Sequence, residues 1–222
     1  MTVVDTATIA RYGCIVNYKV RPLGSGPSHN AEDHAPMTTW NLDPAHTQVN
    51  FSAKHMMVTS VRGQFHDVSG TVELDEADPS RSRGTFRIAV ASVDTNFDAR
   101  DNHLRSPDFF AAETYPEIVF VSTSVEAAGK GRFNVTGDLT IKDVTAPMTF
   151  DVQLEGIVKG MSGARHAGMS ATAKLQRDTW GLTWNVALEQ GGWLVGKEIE
   201  LDIAIAADEV PATERVHAGS AS

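Results

Sequence analysis

Arg132-Phe-Asn-Val-Thr-Gly-Asp-Leu-Thr-Ile-Lys142 is the stretch on which the fold turns. Phe133, Val135, Gly137, Leu139 and Ile141 take alternate positions, and Asn134, Thr136, Asp138, Thr140 and Lys142 take the others. Successive side chains of a strand point to opposite faces, so the segment has one dry face and one wet face. Working outward, the same two-residue period recurs from Val49 to Ala207. Gln48–His55 places Val49, Phe51, Ala53 and His55 together. Val61–Leu74 begins on the parity of Val61, Gly63 and Phe65, then switches to that of Val68, Gly70, Val72 and Leu74. Such a switch marks a bulge, here near His66-Asp67. Gly84–Val93, Glu117–Val125, Met148–Leu154, Ala167–Leu175 and Ile199–Ile205 complete a set of eight strands separated by Gly-, Pro- and Asp-rich breaks. Regular strands without intervening helices predict an antiparallel barrel or sandwich. The functional question is whether its dry side is a filled core or a pocket.

One segment breaks the rhythm. Thr95–Thr114 reads as helical, with a short helix over Asp98–Arg105 and a second one started by Ser106-Pro107-Asp108 and stopped by Tyr115-Pro116. Serine caps, proline suits the first turn and an acid favours the positive helix end. An insertion between strands at this point would lie over a barrel mouth. Residues 1–36 form a different region. Their breaker-rich Pro22–Asn30 run predicts a largely flexible extension before a domain at 37–208 and a fraying tail at 209–222. Met37, just before the patterned region, is an alternative translation start to Met1.

Of the 222 residues 41% are hydrophobic, enough for a substantial core. The net charge of −9 and a pI near 5.3 argue against non-specific binding to nucleic acid or adhesion to anionic membranes. They also favour a neutral over an anionic ligand headgroup. Cys14 is the single cysteine, so no intramolecular disulfide can form. No apolar run approaches the roughly 18–20 residues of a membrane span. Asp5 and Arg11 interrupt any signal-peptide core, so the expected location is cytoplasmic.

The chain lacks a P-loop, a Gly-x-Gly-x-x-Gly helix start, a His-Glu-x-x-His, a cysteine pair for zinc and a Gly-x-Ser-x-Gly elbow. No catalytic group, metal or cofactor is therefore expected. His55 shares parity with Phe51 and points inward at a strand end. Arg100-Asp101-x-His103 is dense in polar chemistry: Arg100 could grip a phosphate or carboxylate, and Asp101 could orient His103. The plainer reading is a local ion-pair and capping network that anchors the insertion. Arg105, Arg177 and Lys54 are further cations within reach of a headgroup. Phe51, Phe65, Phe86, Phe110, Phe120, Leu139, Phe150, Trp180 and Trp184 are the candidate apolar lining, and Trp180, Leu182 and Trp184 share parity. Eight strands enclose an interior that side chains can fill or one ligand can occupy. Small residues at inward positions (Ala53, Gly63, Gly70, Gly137, Ala167, Ala171, Ala173) leave room, although glycine also marks bends.

The ordered motifs resemble the YceI-like family over about Thr39–Ala207. They are Trp40-Asn-Leu-Asp-Pro-Ala-His46-Thr-Gln-Val-Asn-Phe51, Lys54-His55, Gly63-Gln-Phe65, Val68-Ser-Gly70, Arg100-Asp-Asn-His-Leu104, Ser106-Pro-Asp-Phe-Phe110, Tyr115-Pro116, Gly137-Asp-Leu-Thr-Ile141 and Arg177 with Trp180-Gly-Leu-Thr-Trp184. The resemblance implies an all-β, eight-stranded antiparallel lipocalin-like barrel with a short helical insertion at about 95–114. It implies non-catalytic binding of a long amphiphile: a polyisoprenoid, isoprenoid quinone or fatty-acid derivative. His55, Arg100, Asp101 and His103 would then form the polar mouth, and a homodimer is allowed. Many members are exported, and residues 1–36 depart from that pattern. Two alternatives stay open: a lipid-acting enzyme with His and Asp at the mouth, and a solidly packed structural or stress-response domain.

Overall fold

The structure, a computed structural model, describes residues 37–211 apart from 162 and 190. The expectations for residues 1–36 and for the tail from 212 onward lie outside the described residues. Eleven strands follow one another as β1 (Thr38–Leu42), β2 (Gln48–His55), β3 (Thr59–Phe65), β4 (Val68–Leu74), β5 (Arg83–Ala89), β6 (Val93–Asp94), β7 (Glu117–Gly129), β8 (Arg132–Ile141), β9 (Val144–Lys159), β10 (Arg165–Gln176) and β11 (Val195–Glu209). One α-helix, α1 (Asp98–Arg105), lies between β6 and β7.

The pairing reduces these strands to eight staves. β1 and β2 lie on the same edge of β11, with Trp40 opposite Glu209 and Val49 opposite Ile203. Likewise β4 and β3 pair with β1 and β2, and β5 and β6 pair with β4 and β3. The six short strands are therefore three interrupted staves, which β7 to β11 extend one by one. Because β1 returns to β11, the antiparallel sheet closes into a barrel. The bulge expected near His66-Asp67 is a full break aligned with one in the next stave. His66 N–H donates to the Ser92 carbonyl at 3.3 Å, and Ala89 N–H donates to that of Asp67 at 2.9 Å. Interrupting neighbouring staves at one level bends the wall without orphaning backbone groups.

Both faces follow the alternation. Outside, Thr136–Thr149 and Thr140–Thr145 hydroxyl pairs at 2.8 Å zip β8 to β9, and Arg87–Glu117 at 2.8 Å ties β5 to β7. Inside, Phe86, Phe120 and Phe150 contact in series, with centroids 6.3 and 5.1 Å apart, and Phe51, Phe65 and Phe110 do the same at 5.5 and 6.1 Å. The end where the chain enters at β1 and leaves at β11 is stoppered. Trp40 is 1% exposed, its indole N–H donates to Thr38 Oγ1 at 2.8 Å, and the Arg165 guanidinium lies 5.3 Å from its ring. Arg165 also pairs with Glu76 at 2.8 Å, which holds the Glu76 carboxyl below its usual range, and with Glu209 at 3.2 Å.

Two expectations need correction. Only α1 is helical in the insertion; residues 106–114 form consecutive turns. Ser106 Oγ donates to the His103 carbonyl at 2.8 Å, so it closes α1 instead of opening a second helix. Gly63, Gly70 and Gly137 do not leave room either. A Cβ on Gly63 would sit 2.4 Å from Phe51 Cζ, one on Gly70 2.9 Å from Phe86 Cδ1, and one on Gly137 2.5 Å from Phe120 Cζ. Each glycine seats an aromatic ring from the neighbouring strand, a cross-strand fit of ring over bare backbone. Gly137→Ala should therefore lower the unfolding free energy by about 1–3 kcal/mol through overpacking. Gly168→Ala, whose Cβ would meet only Glu155 Cβ at 3.8 Å, should change it far less. Chemical denaturation of both variants checks the contrast.

Candidate functional site

The aromatics and glycines do not fill the barrel. A cavity of about 720 Å³ runs along its interior, within the roughly 300–1,000 Å³ range of ligand sites. Every stave contributes to its wall, including Leu42, Val49, Val61, Ile88, Val135, Val152, Ala171, Leu175, Leu201 and Ile203. Of the predicted apolar lining, Phe51, Phe65, Phe86, Phe110, Phe120, Leu139, Phe150 and Trp184 lie on that wall. Trp180 does not. It is buried beside the cavity in the turn Arg177–Trp180, and its indole N–H donates to the Leu139 carbonyl at 2.9 Å. The residues after it are irregular rather than strand-like, so shared parity with Leu182 and Trp184 does not set where the three side chains lie. An indole inside needs an acceptor, and the carbonyl at the end of β8 supplies it.

The helical end of the barrel is the candidate mouth. β2 delivers Lys54 and His55, α1 delivers Arg100 and His103, the following turns deliver Phe109 and Phe110, and the segment between β10 and β11 delivers Leu182 and Trp184. The polar residues do not behave as a grip. Arg100 donates through Nε to Thr95 Oγ1 at 2.6 Å and through Nη2 to the Thr95 carbonyl at 2.8 Å. Asp101 is 4% exposed, is not on the cavity wall, and accepts from the Thr95 N–H at 2.9 Å and from its hydroxyl. Asp101 and Arg100 thus converge on Thr95 and staple α1 to the end of β6, the plainer of the two readings. The expectation that Asp101 belongs to the mouth is corrected: its carboxylate is spent beneath the helix, where a buried acid needs donors. His103 Nε2 lies 3.0 Å from Asp108 Oδ2, and its ring packs edge-on against Phe109 and Trp184 at 5.0 and 4.6 Å. No hydrogen bond joins His55, Asp101 and His103 among the described residues. No group of three His, Cys, Asp or Glu among the described residues is arranged to hold a metal.

Arg177 carries more of this end than its sequence reading implied. It continues the inward parity of Ala171, Ala173 and Leu175, and is only 3% exposed on the cavity wall. Nε donates to the Gly196 carbonyl at 3.0 Å, and Nη1 to those of Leu182 and Trp184, the latter at 3.1 Å. Burial pushes the guanidinium down from its ordinary value, yet arginine keeps its charge. The side chain thus gathers Leu182, Trp184 and Gly196 around one cation. The parity itself was the available signal.

The sequence model of the YceI-like domain matches residues 40–207. The chain belongs to the YceI-like family. The UPF0312 protein SAS2572 of Staphylococcus aureus is 39% identical over 167 residues, 75% of this chain and 95% of that relative. Among solved structures, Burkholderia cenocepacia BcnA superposes with a TM-score of 0.64 at 25% identity, covering 74% of this chain and 98% of that one. The Campylobacter jejuni YCEI protein gives 0.62 at 30% identity over 71% and 90%. A polyisoprenoid binding domain from Saccharophagus degradans, implicated in plant cell wall breakdown, gives 0.56 at 17% identity over 78% and 99%, a likeness of fold. The eight-stave barrel with one short helix is thus the architecture of the YceI-like domain.

Arg177→Met should leave the carbonyls of Leu182, Trp184 and Gly196 without their donor. Since an orphaned buried polar group costs about 1–3 kcal/mol, the expected loss is at least about 2 kcal/mol. The denaturation midpoint reads the loss, and hydrogen exchange should localise it to residues 182–196.

Proposed function

We propose that this protein binds a long amphiphile non-covalently, holding the tail inside the barrel and the head at the helical mouth. The observation that carries the reading is the roughly 720 Å³ apolar cavity inside a closed wall. Water gains little from such a space, and an alkyl or prenyl chain gains from it directly. Each buried methylene contributes about 0.8 kcal/mol, so ten supply about 8 kcal/mol before association and ordering costs. That suits carriage, storage or sequestration of a polyisoprenoid, an isoprenoid quinone or a fatty-acid derivative. A structural neighbour described as a polyisoprenoid binding domain supports the same class.

The mouth supports a head that is held loosely. Arg177 directs most of its N–H groups to main-chain carbonyls, and Arg100 directs its Nε and one Nη2 N–H to Thr95, leaving the rest of the Arg100 guanidinium with Lys54 and His55 as the freer donors. Affinity in this scheme comes from the tail, and discrimination comes from tail length against the stoppered far end. The cavity speaks against a solidly packed domain.

Native mass spectrometry of the protein taken from its own host, followed by lipid extraction, is the direct test. An adduct of lipid mass that chloroform–methanol releases is expected. Protein-sized mass alone, together with no uptake of a prenyl or fatty-acyl probe by the purified protein, would overturn the proposal. Ala171→Trp, which fills the wall at mid-barrel, should weaken probe binding at least tenfold, since it removes space for several methylenes. The far-end variant Lys159→Ala should bind as the parent does.

A further inference from the structure

Nine large apolar side chains are exposed among the described residues, and six of them, Met56, Met57, Val58, Phe97, Val186 and Trp193, lie at the mouth end. They come from three separate elements. Met56 to Val58 form the tip between β2 and β3, Phe97 precedes α1, and Val186 and Trp193 belong to a small hairpin in which Trp193 pairs with Ala187 and the Leu194 N–H donates to the Val186 carbonyl at 2.9 Å. The first and third tips touch. Met56 N–H donates to the Leu194 carbonyl at 2.8 Å, and Gly192 faces Met57, whose Cγ would lie 3.6 Å from a Cβ placed there. Val58 is 80% exposed and Met57 63%. Scattered apolar residues on a surface need no explanation, but a ring of exposed apolar tips at one cavity entrance marks an interaction site.

The backbone supplies a second, independent observation. Met56 and Met57 both sit in the left-handed region, at φ 50° and 62°, in a tight turn closed by Val58 N–H to the His55 carbonyl at 3.2 Å. Turns with positive φ at both central positions favour Asn-Gly or Asp-Gly, because a Cβ is strained there. This chain instead places two long, flexible, apolar side chains at the strained positions and points them at solvent. Turn chemistry argues against methionine there; contact with something apolar argues for it.

From the ring and the strained tip together we infer that the mouth docks on the surface of a neutral lipid bilayer. Met57, Val58 and Trp193 enter the headgroup region, and the cavity then opens toward the acyl chains. The occupant follows from position and charge. Phe97 and the tip neighbours His55 and Leu194 line the cavity, so the tips flank its entrance, where a membrane-borne tail must cross from lipid to protein. A net charge of −9 removes long-range attraction to anionic lipid, so docking rests on insertion rather than on counter-charge. Tryptophan suits this depth, with its apolar body in the boundary and its N–H in water.

Flotation of the full chain with phosphatidylcholine vesicles tests the inference. The parent should float with the vesicles, and raising salt to half molar should leave the partition coefficient within twofold. Met57→Asp and Trp193→Asp should each lower it at least tenfold. Val158→Asp, at an exposed apolar site of the opposite end, should not change it. Met57→Asn keeps a residue that the turn accepts and removes only the apolar side chain, so its loss of flotation separates the contact from the fold. No flotation by the parent, equal loss in Val158→Asp, or binding that requires anionic lipid and disappears with salt would overturn the inference. So would light scattering that shows a dimer which Met57→Asp converts to monomer, since the ring would then belong to a second copy. Vesicle binding needs no ligand in the cavity, so probe uptake from detergent and flotation report separately on the proposed function and on docking.

Discussion

Closure of the sheet is the constraint on which everything else depends. Once β1 and β2 lie together along β11, the sheet closes on itself, and the inward residues of eight staves share one interior. The barrel's circumference is set by its backbone geometry, with neighbouring strands close to 4.8 Å apart. Side chains can only project inward from that perimeter. Phenylalanines pack against the glycines of neighbouring strands and line the wall, and the axis stays open. The cavity is thus a consequence of closure at this strand number combined with aromatic side chains that lie against the wall.

The two ends answer different demands. At the far end, tryptophan, arginine and two glutamates form a stopper in which the cation covers the indole and both acids hold the cation. At the mouth, polar groups are used for construction: Thr95 gathers Arg100 and Asp101, and Arg177 gathers main-chain carbonyls. A mouth built this way is rigid at its base and apolar at its tips. Those are the properties on which the proposed binding of a long tail rests.

The strand pattern was legible because a barrel with one dry face writes its geometry into every second residue. The parity switch at His66-Asp67 marked the interruption of a stave, although pairing that break with the one at Val90–Ser92 required the register of β3 to β6. Ser106-Pro107-Asp108 misled because a good helix start is a local property, whereas residues 106–114 turn back to deliver Phe109 and Phe110 to the interior. Asp101 misled for a related reason. A carboxylate beside a histidine looks like chemistry until the structure shows the threonine it holds.

By itself, the sequence determined the eight-stave barrel, its inward residues and its place among YceI-like proteins, since alternation, breaks and ordered motifs are properties of the chain in one dimension. Only the tertiary structure decided that the interior is open, that glycines seat rings instead of creating space, that Arg100, Asp101 and Arg177 serve the scaffold, and that Met57 and Trp193 meet at one rim. Each of those depends on distances between staves far apart along the chain, and such distances are set by closure rather than by any residue's own preference.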